Sequence, residues 1–265
     1  MKWIVCLIGD EDDLYELSKS LNTEKLTIYK EGNQYYLKSS QIRPTDEYNE
    51  VCDKVDKLIE LINGTTKLSL GTRNTVSLSD IYILKDDGGR NLFFSAHLSG
   101  SGGARGNYQI IRVDGTIEVC NHDNPADSVL SWIELSLKDE LVNKIIKLIS
   151  HDSDSWVGLY KIFEVIDKDA GIRSFASVSS ENLKRFTQTA NSYKAIGMEA
   201  RHALDYEPPR KPMNITEARS LIYLVVREWL RLKEETKLFN DLQGGFRGRI
   251  SADNPFGVHE YRNVM

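Results

Sequence analysis

The stretch from Asn214 to Leu232, NITEARSLIYLVVREWLRL, constrains the fold more than any other. Asn214 and Glu217 have the spacing of a capping box, in which each side chain satisfies a backbone N–H at a helix start. Ile215, Ala218, Ile222, Val225, Val226, Trp229 and Leu232 then form an apolar stripe, with Arg219, Arg227, Glu228 and Arg231 mostly off it. A stripe of this kind must be buried against something. Just upstream, Phe186, Ala190, Tyr193, Gly197 and Ala200 recur every three or four positions and predict a helix over 181–203. Pro208 and Pro209 cannot continue it. The region reads as helix, proline-bounded loop, helix. The small residues Ala190, Gly197 and Ala200 would let a second helix approach closely.

The rest of the chain divides into two characters. Residues 2–8 form a β run, followed by Gly9 and the acids Asp10 to Asp13, which suit a helix start continuing to about Asn22. LTIYK and QYYLKS flank Glu31-Gly32-Asn33 and predict a hairpin. Tyr48, Val51, Val55, Leu58, Ile59 and Ile62 predict a second helix over 46–63, stopped by Gly64. Strands are expected at 67–71, 76–85, 91–98, 107–113 and 116–120. After His122-Asp123-Asn124-Pro125, helices are expected at 125–135, 137–151 and 155–168, ahead of the pair already described. Trp156, Leu159, Tyr160, Phe163 and Ile166 make a strong apolar face in the last of these. The predicted class is α+β: a mostly antiparallel sheet with two helices over 1–122, an all-α bundle over 123–240, and an irregular tail over 241–265.

Composition removes several function classes. The net charge of −5 argues against a globally basic nucleic-acid binder, though not against a local basic patch. Cys6, Cys52 and Cys120 are widely spaced without a CxxC, which points to reduced thiols in the cytoplasm and to neither a metal site nor a cofactor. No run of about 18 apolar residues occurs, so no membrane span is expected. The opening MKWIVCLIGDEDD lacks the features of a secretory signal and reads as a first strand.

The candidate chemistry concentrates late in the chain. The Gly-rich segment 98–108 lacks the Lys-Ser/Thr of a phosphate-binding P-loop and precedes a strand, so it reads as a hairpin loop. The single GGFRGR at 244–249 has weak single-strand-binding character and suits a solvated tail. Acid clusters at 10–13, 86–87 and 152–154 fit turns and helix starts. Among the five histidines, His202 alone lies in a dense polar setting, beside Arg201 and near Glu199. Residues 181–231 hold nine Lys/Arg against six acids, an excess of three positive charges within an acidic chain. Two readings of this segment stand side by side. In one, Arg201 clamps a phosphate and His202 carries a proton, with Asn191, Glu199, Tyr206 and Arg219 as further binding residues. In the other, Arg201 forms a salt bridge with Glu199 or Glu217 and His202 caps the helix end.

ANSYKAIGMEARHAL followed by MNITEARSLIYLVVREWL resembles the HEPN superfamily (higher eukaryotes and prokaryotes nucleotide-binding domain), over about residues 125–235. The N-terminal start resembles that of bacterial proteins without an assigned activity. The HEPN resemblance implies a helical bundle and RNA or nucleotide binding. It further implies metal-independent ribonuclease activity of a stress or defence system, with two bundles paired as a homodimer through the helical half. The family's motif is Arg, a polar residue, about three spacers, then His. Arg201 matches the Arg and His202 the polar position, which makes these two the catalytic candidates. Tyr206 stands where the catalytic His would be, so proton transfer would fall to His202. The alternative is a non-catalytic interaction module in which the Arg-His pair is structural.

Overall fold

The protein, a computed structural model, is described over residues 2–71, 75–84, 90–93, 110–111, 117–118, 125–202 and 206–250, with side chains left out for 85–127 and 237–250. It opens with β1 (Lys2–Ile8), α1 (Glu11–Ser20), β2 (Leu26–Glu31), β3 (Gln34–Ser39), α2 (Tyr48–Ser69), β4 (Ser77–Leu84) and β5 (Arg90–Phe93). The short strands β6 (Ile110–Ile111) and β7 (Ile117–Glu118) pair with each other. The chain then becomes helical, through α3 (Pro125–Ser136), α4 (Glu140–Asp152), α5 (Trp156–Ala170), α6 (Ser180–Asn191), α7 (Tyr193–Ile196) and α8 (Ile215–Ile250). The α+β class is as expected: an antiparallel sheet with two helices, then a mostly helical part.

The sheet order is β2-β3-β1-β4-β5, every described pairing antiparallel. The order βαββαβ, with β1 central, is a split βαβ arrangement in which both helices serve one face. Local chemistry sets its ends. The Asp10 carboxylate accepts from the backbone N–H of Asp12 and Asp13 at 3.1 and 3.2 Å and caps α1. Gly32, at φ +61°, makes the hairpin turn between Glu31 and Gln34. Across the sheet's other face, Tyr29 lies opposite Tyr36, Tyr36 opposite Cys6, and Cys6 opposite Asp80, while Ile4 lies opposite Tyr82.

Helix α2 departs from expectation. It runs through Gly64 to Ser69, so 67–71 is not a strand. Gly64 is a packing device: a Cβ there would sit 2.2 Å from the Ile146 carbonyl oxygen of α4. Thr65 and Thr66 donate their hydroxyls back to Leu61 and Ile62 carbonyls, each at 2.7 Å, so the polar groups at the crossing stay satisfied. The glycine that does follow the helix end is Gly71, at φ +66°. From α2, the buried Asn63 amide donates to the Val76 carbonyl and accepts from the Val76 N–H, both at 2.8 Å, and fixes where β4 begins.

The main apolar core runs from the sheet through the helices, and a small separate cluster of Ile4, Cys6 and Tyr82 lies on the sheet's other face. One cluster of buried side chains includes Leu7 and Val5 of the sheet, Val55 and Ile62 of α2, Ile146 and Ile149 of α4, and Trp229 of α8. The boundary expected at residues 121–124 lies outside the described residues, as do the Gly-rich segment 98–108, His97, His122 and Cys120. Helix α4 is capped by Asp139, α5 by Ser155 and α6 by Ser179. For α8 the capping box forms as read: Asn214 accepts from the Glu217 N–H at 2.8 Å, and Glu217 accepts from the Asn214 N–H at 3.1 Å. Its stripe is buried at Ala218, Ile222, Val225, Val226 and Trp229. The helix continues to Ile250, so 241–250, expected to be irregular, is helical in its backbone.

The helix expected over 181–203 is broken. Helix α6 ends at Asn191, α7 is a single turn, and residues 197–199 form a 3-10 turn. Gly197 adopts φ +61°, outside helical geometry. Ala190, Gly197 and Ala200 therefore do not share one helix face, and the close-approach surface expected from them is absent.

Candidate functional site

The connection from α6 to α8, residues 192–214, carries the sequence-predicted site. Its backbone is pinned at two points. The Arg201 N–H donates to the Ala190 carbonyl at 2.9 Å, and the buried Ser192 hydroxyl donates to the Tyr206 carbonyl at 2.6 Å. At its far end Arg185 donates to the Lys211 carbonyl at 2.6 Å and pairs with Glu217 at 2.8 Å.

Arg201 lies in a slot on α5. Its guanidinium carbon sits 4.3 Å from the Tyr160 ring centroid, and Nη2 donates to Glu164 Oε1 at 2.6 Å. Tyr160 and Glu164 are one helical turn apart and so share a face. The Tyr160 ring is itself held in an aromatic group with Phe163 at 5.5 Å and Phe186 at 6.0 Å. Arg201 thus forms the salt bridge of the structural reading, but with Glu164 rather than with Glu199 or Glu217. A guanidinium has five N–H donors, and a third of this side chain is exposed, so donors remain for an anion.

Asn191 meets the same ring: its amide donates to the Tyr160 hydroxyl at 3.4 Å, while Oδ1 is buried without a hydrogen-bond partner among the described residues. The His202 ring packs edge-on against Tyr206, centroids 5.9 Å apart. Glu199 is exposed on the 3-10 turn and makes no hydrogen bond or ion pair among the described residues. Asp205 lies outside the described residues.

Arg219 belongs elsewhere. It donates to the Ser153 carbonyl at 3.2 Å and pairs with Asp154 at 2.9 Å, at the turn between α4 and α5. There it is one of a set of cations on helix C-terminal carbonyls, a favourable place for positive charge. Lys67 donates to the Ser150 carbonyl at 2.7 Å, and Arg227 donates to the Leu68 carbonyl. Tyr223 completes the seam with a hydrogen bond to Ser153 Oγ at 2.9 Å, and its burial pushes the phenol pKa up.

Sequence reasoning named Tyr206 but missed Tyr193 and Met198, which share the surface of the connection with it. Tyr193 is 42% exposed, Met198 88% and Tyr206 46%. They are three of the nine large hydrophobic side chains exposed among the described residues, gathered within fourteen positions. The signal that would have found Tyr193 and Met198 is the positive-φ glycine between them, which breaks the helix that would have buried a stripe.

The structure brings Asn191 and Arg201 together around Tyr160, and His202 together with Tyr206. It does not bring Arg219 to them. No group of three or more His, Cys, Asp or Glu placed to hold a metal ion occurs among the described residues. Nor is any helix among them long and apolar enough to cross a membrane. A scan against protein-family models, a search of curated proteins and a search of solved structures each returned no match.

Proposed function

We propose that this protein binds single-stranded RNA or a nucleotide through the α6–α8 connection, as a HEPN-like protein of a stress or defence system. The observation that carries the reading is the exposure of Tyr193, Met198 and Tyr206 on one pinned loop beside Arg201 and His202. Exposed rings stack on bases, at about 1–3 kcal/mol per base. Arg201, oriented by Tyr160 and Glu164, offers its remaining donors to a phosphate, each charge-assisted bond being worth about 1.5–3 kcal/mol. His202 supplies the imidazole that a metal-independent cleavage at the ribose 2′-hydroxyl would use. With Tyr206 in place of a second imidazole, binding without rapid cleavage is the expected behaviour.

The test is fluorescence anisotropy and a cleavage assay with a labelled 12-nucleotide RNA. Tyr206→Ala and Arg201→Ala are each expected to weaken binding about tenfold or more. His202→Ala is expected to leave binding nearly intact and to remove any cleavage. Tyr206→His restores the motif and is expected to raise cleavage. Unchanged anisotropy of the wild type with RNA sinks the proposal.

The Arg201–Glu164 pair favours a second reading, a non-catalytic interaction module held in shape by that pair. Under it Arg201→Ala and Glu164→Gln lower the melting temperature equally, and neither chain nor variants bind RNA.

A further inference from the structure

We propose that the face of the sheet opposite α1 and α2 binds a small quaternary ammonium compound. A cavity of about 350 Å³ lies on that face. Among the described residues its lining is Ile4, Tyr29, Glu31, Tyr36, Tyr82 and Leu84, with Gly32 at the turn beside them. Tyr29 and Tyr36, opposite each other on β2 and β3, stack at 5.3 Å between centroids and 24° between planes. Tyr82 and Ile4, also opposite each other, supply apolar surface from β4 and β1. A Cβ at Gly32 would meet nothing within 4 Å, so the turn leaves space at the rim.

The charge on this cavity selects the ligand. Glu31 is the one charged side chain among the described lining residues. Its carboxylate makes no hydrogen bond or ion pair with any described residue. Lys2, Lys38, Asp80 and, by its backbone register opposite Leu84, Arg90 share the face; the side chains of Lys2, Lys38 and Asp80 do not line the cavity. A phosphate or carboxylate would face the Glu31 carboxylate with no cation among the described lining residues. A neutral apolar ligand would leave Glu31 unused. An ammonium ion wrapped in methyl groups answers both features, because ring faces attract a cation and methyl groups lose little hydration on entry. A bare ammonium is strongly hydrated and gives up more. Burial, with the charge of Glu31 next, pushes the Tyr29 phenol above its ordinary pKa, so the hydroxyl stays protonated beside that carboxylate.

This site shares no residue with the α6–α8 connection, so the two proposals stand or fall separately. The test uses the full chain. Choline chloride is titrated by calorimetry at constant ionic strength, with tetramethylammonium as a second cation and 3,3-dimethylbutan-1-ol as the neutral isostere of choline. Saturable binding of both cations is expected, with the isostere about tenfold weaker. Glu31→Gln should weaken choline several-fold and leave the isostere unchanged. Tyr36→Ala should remove binding and Tyr36→Phe should keep it. Glu31 is exposed at a hairpin end, so its variant decides the matter even where Tyr36→Ala fails to fold. Equal affinity for choline and the isostere, or no saturable binding of either cation up to about 20 mM, overturns the proposal. So does a Glu31→Gln chain that binds choline as the wild type does.

Discussion

Gly64 and Gly197 mark two regions built on opposite terms. At Gly64 the missing side chain lets two helices touch: the Ile146 carbonyl oxygen is 2.2 Å from where a Cβ would be. At Gly197 nothing lies within 4 Å of that point, and the glycine is there for its φ of +61°. Around the first, Leu61, Ile62, Ile145 and Ile149 are fully buried; around the second, Tyr193 and Met198 face solvent. One region is specified by what it excludes, the other by what it displays. Stability should therefore reside at the α2–α4 crossing and, under the proposed function, recognition at the α6–α8 connection.

The same substitution tested at both sites is the most direct way to break this contrast. Gly64→Ala is expected to cost about 3 kcal/mol in urea denaturation, because backbone rather than a flexible side chain must move. A loss below about 1 kcal/mol would mean that α2 and α4 separate freely and the crossing is not specific. Gly197→Ala is expected to cost about 2 kcal/mol through its backbone conformation alone and, under the proposed function, to disturb RNA binding more than Gly64→Ala does at matched stability.

Acid sharpens the comparison from the side of α2. Just ahead of this helix, Asp46 accepts from Lys54 at 2.5 Å and from the Arg43 backbone N–H at 2.7 Å, which lowers its pKa from 3.8 to about 2. A carboxylate lowered in this way adds stability that is complete above its unfolded value. That stability fades as the pH falls from about 4 to about 2. Asp46→Asn should lose it at neutral pH, and the wild type and variant should converge in denaturation curves near pH 2. A difference that persists unchanged at that pH counts against the Lys54 and Arg43 contacts as its source.

The smallest effect on stability is expected at Met198, the most exposed large hydrophobic side chain among the described residues. Met198→Ser should stay within about 0.5 kcal/mol of the wild type in denaturation. If the connection is the binding surface, the same variant weakens RNA binding measurably.

What the sequence disclosed divides along the same line. Rules acting over three or four residues were legible: the Asn214–Glu217 box, the Asp10 cap, the Gly32 turn and the buried stripe of α8. Hidden features depended on partners far along the chain. A glycine after an apolar stripe reads as a helix stop, and Gly71 fills that role; Gly64 differs only because α4 arrives against it. The periodicity of 186–200 reads as one helix, and the Ser192 bond to Tyr206 that helps fix its end cannot be seen from the stripe. Arg201 stood out in the sequence as a candidate, but its partner Glu164 is 37 positions away on another helix. Arg219 entered the predicted site by nearness in sequence and left it because Asp154 and the Ser153 carbonyl hold it elsewhere.

The position of α2 between sheet and bundle has a consequence for synthesis. Lys67 bonds to Ser150, 83 residues later, and Arg227 reaches back 159 residues to Leu68. At about 5–20 residues per second, a ribosome needs about 4–17 s to add the first interval and about 8–32 s to add the second. For that time Val55, Leu58 and Ile62 can meet the sheet but not α4, and the nascent chain presents a greasy helix flank to the cell. A chaperone that holds chains at this stage would find its target in α2 and would be released when α4 emerges.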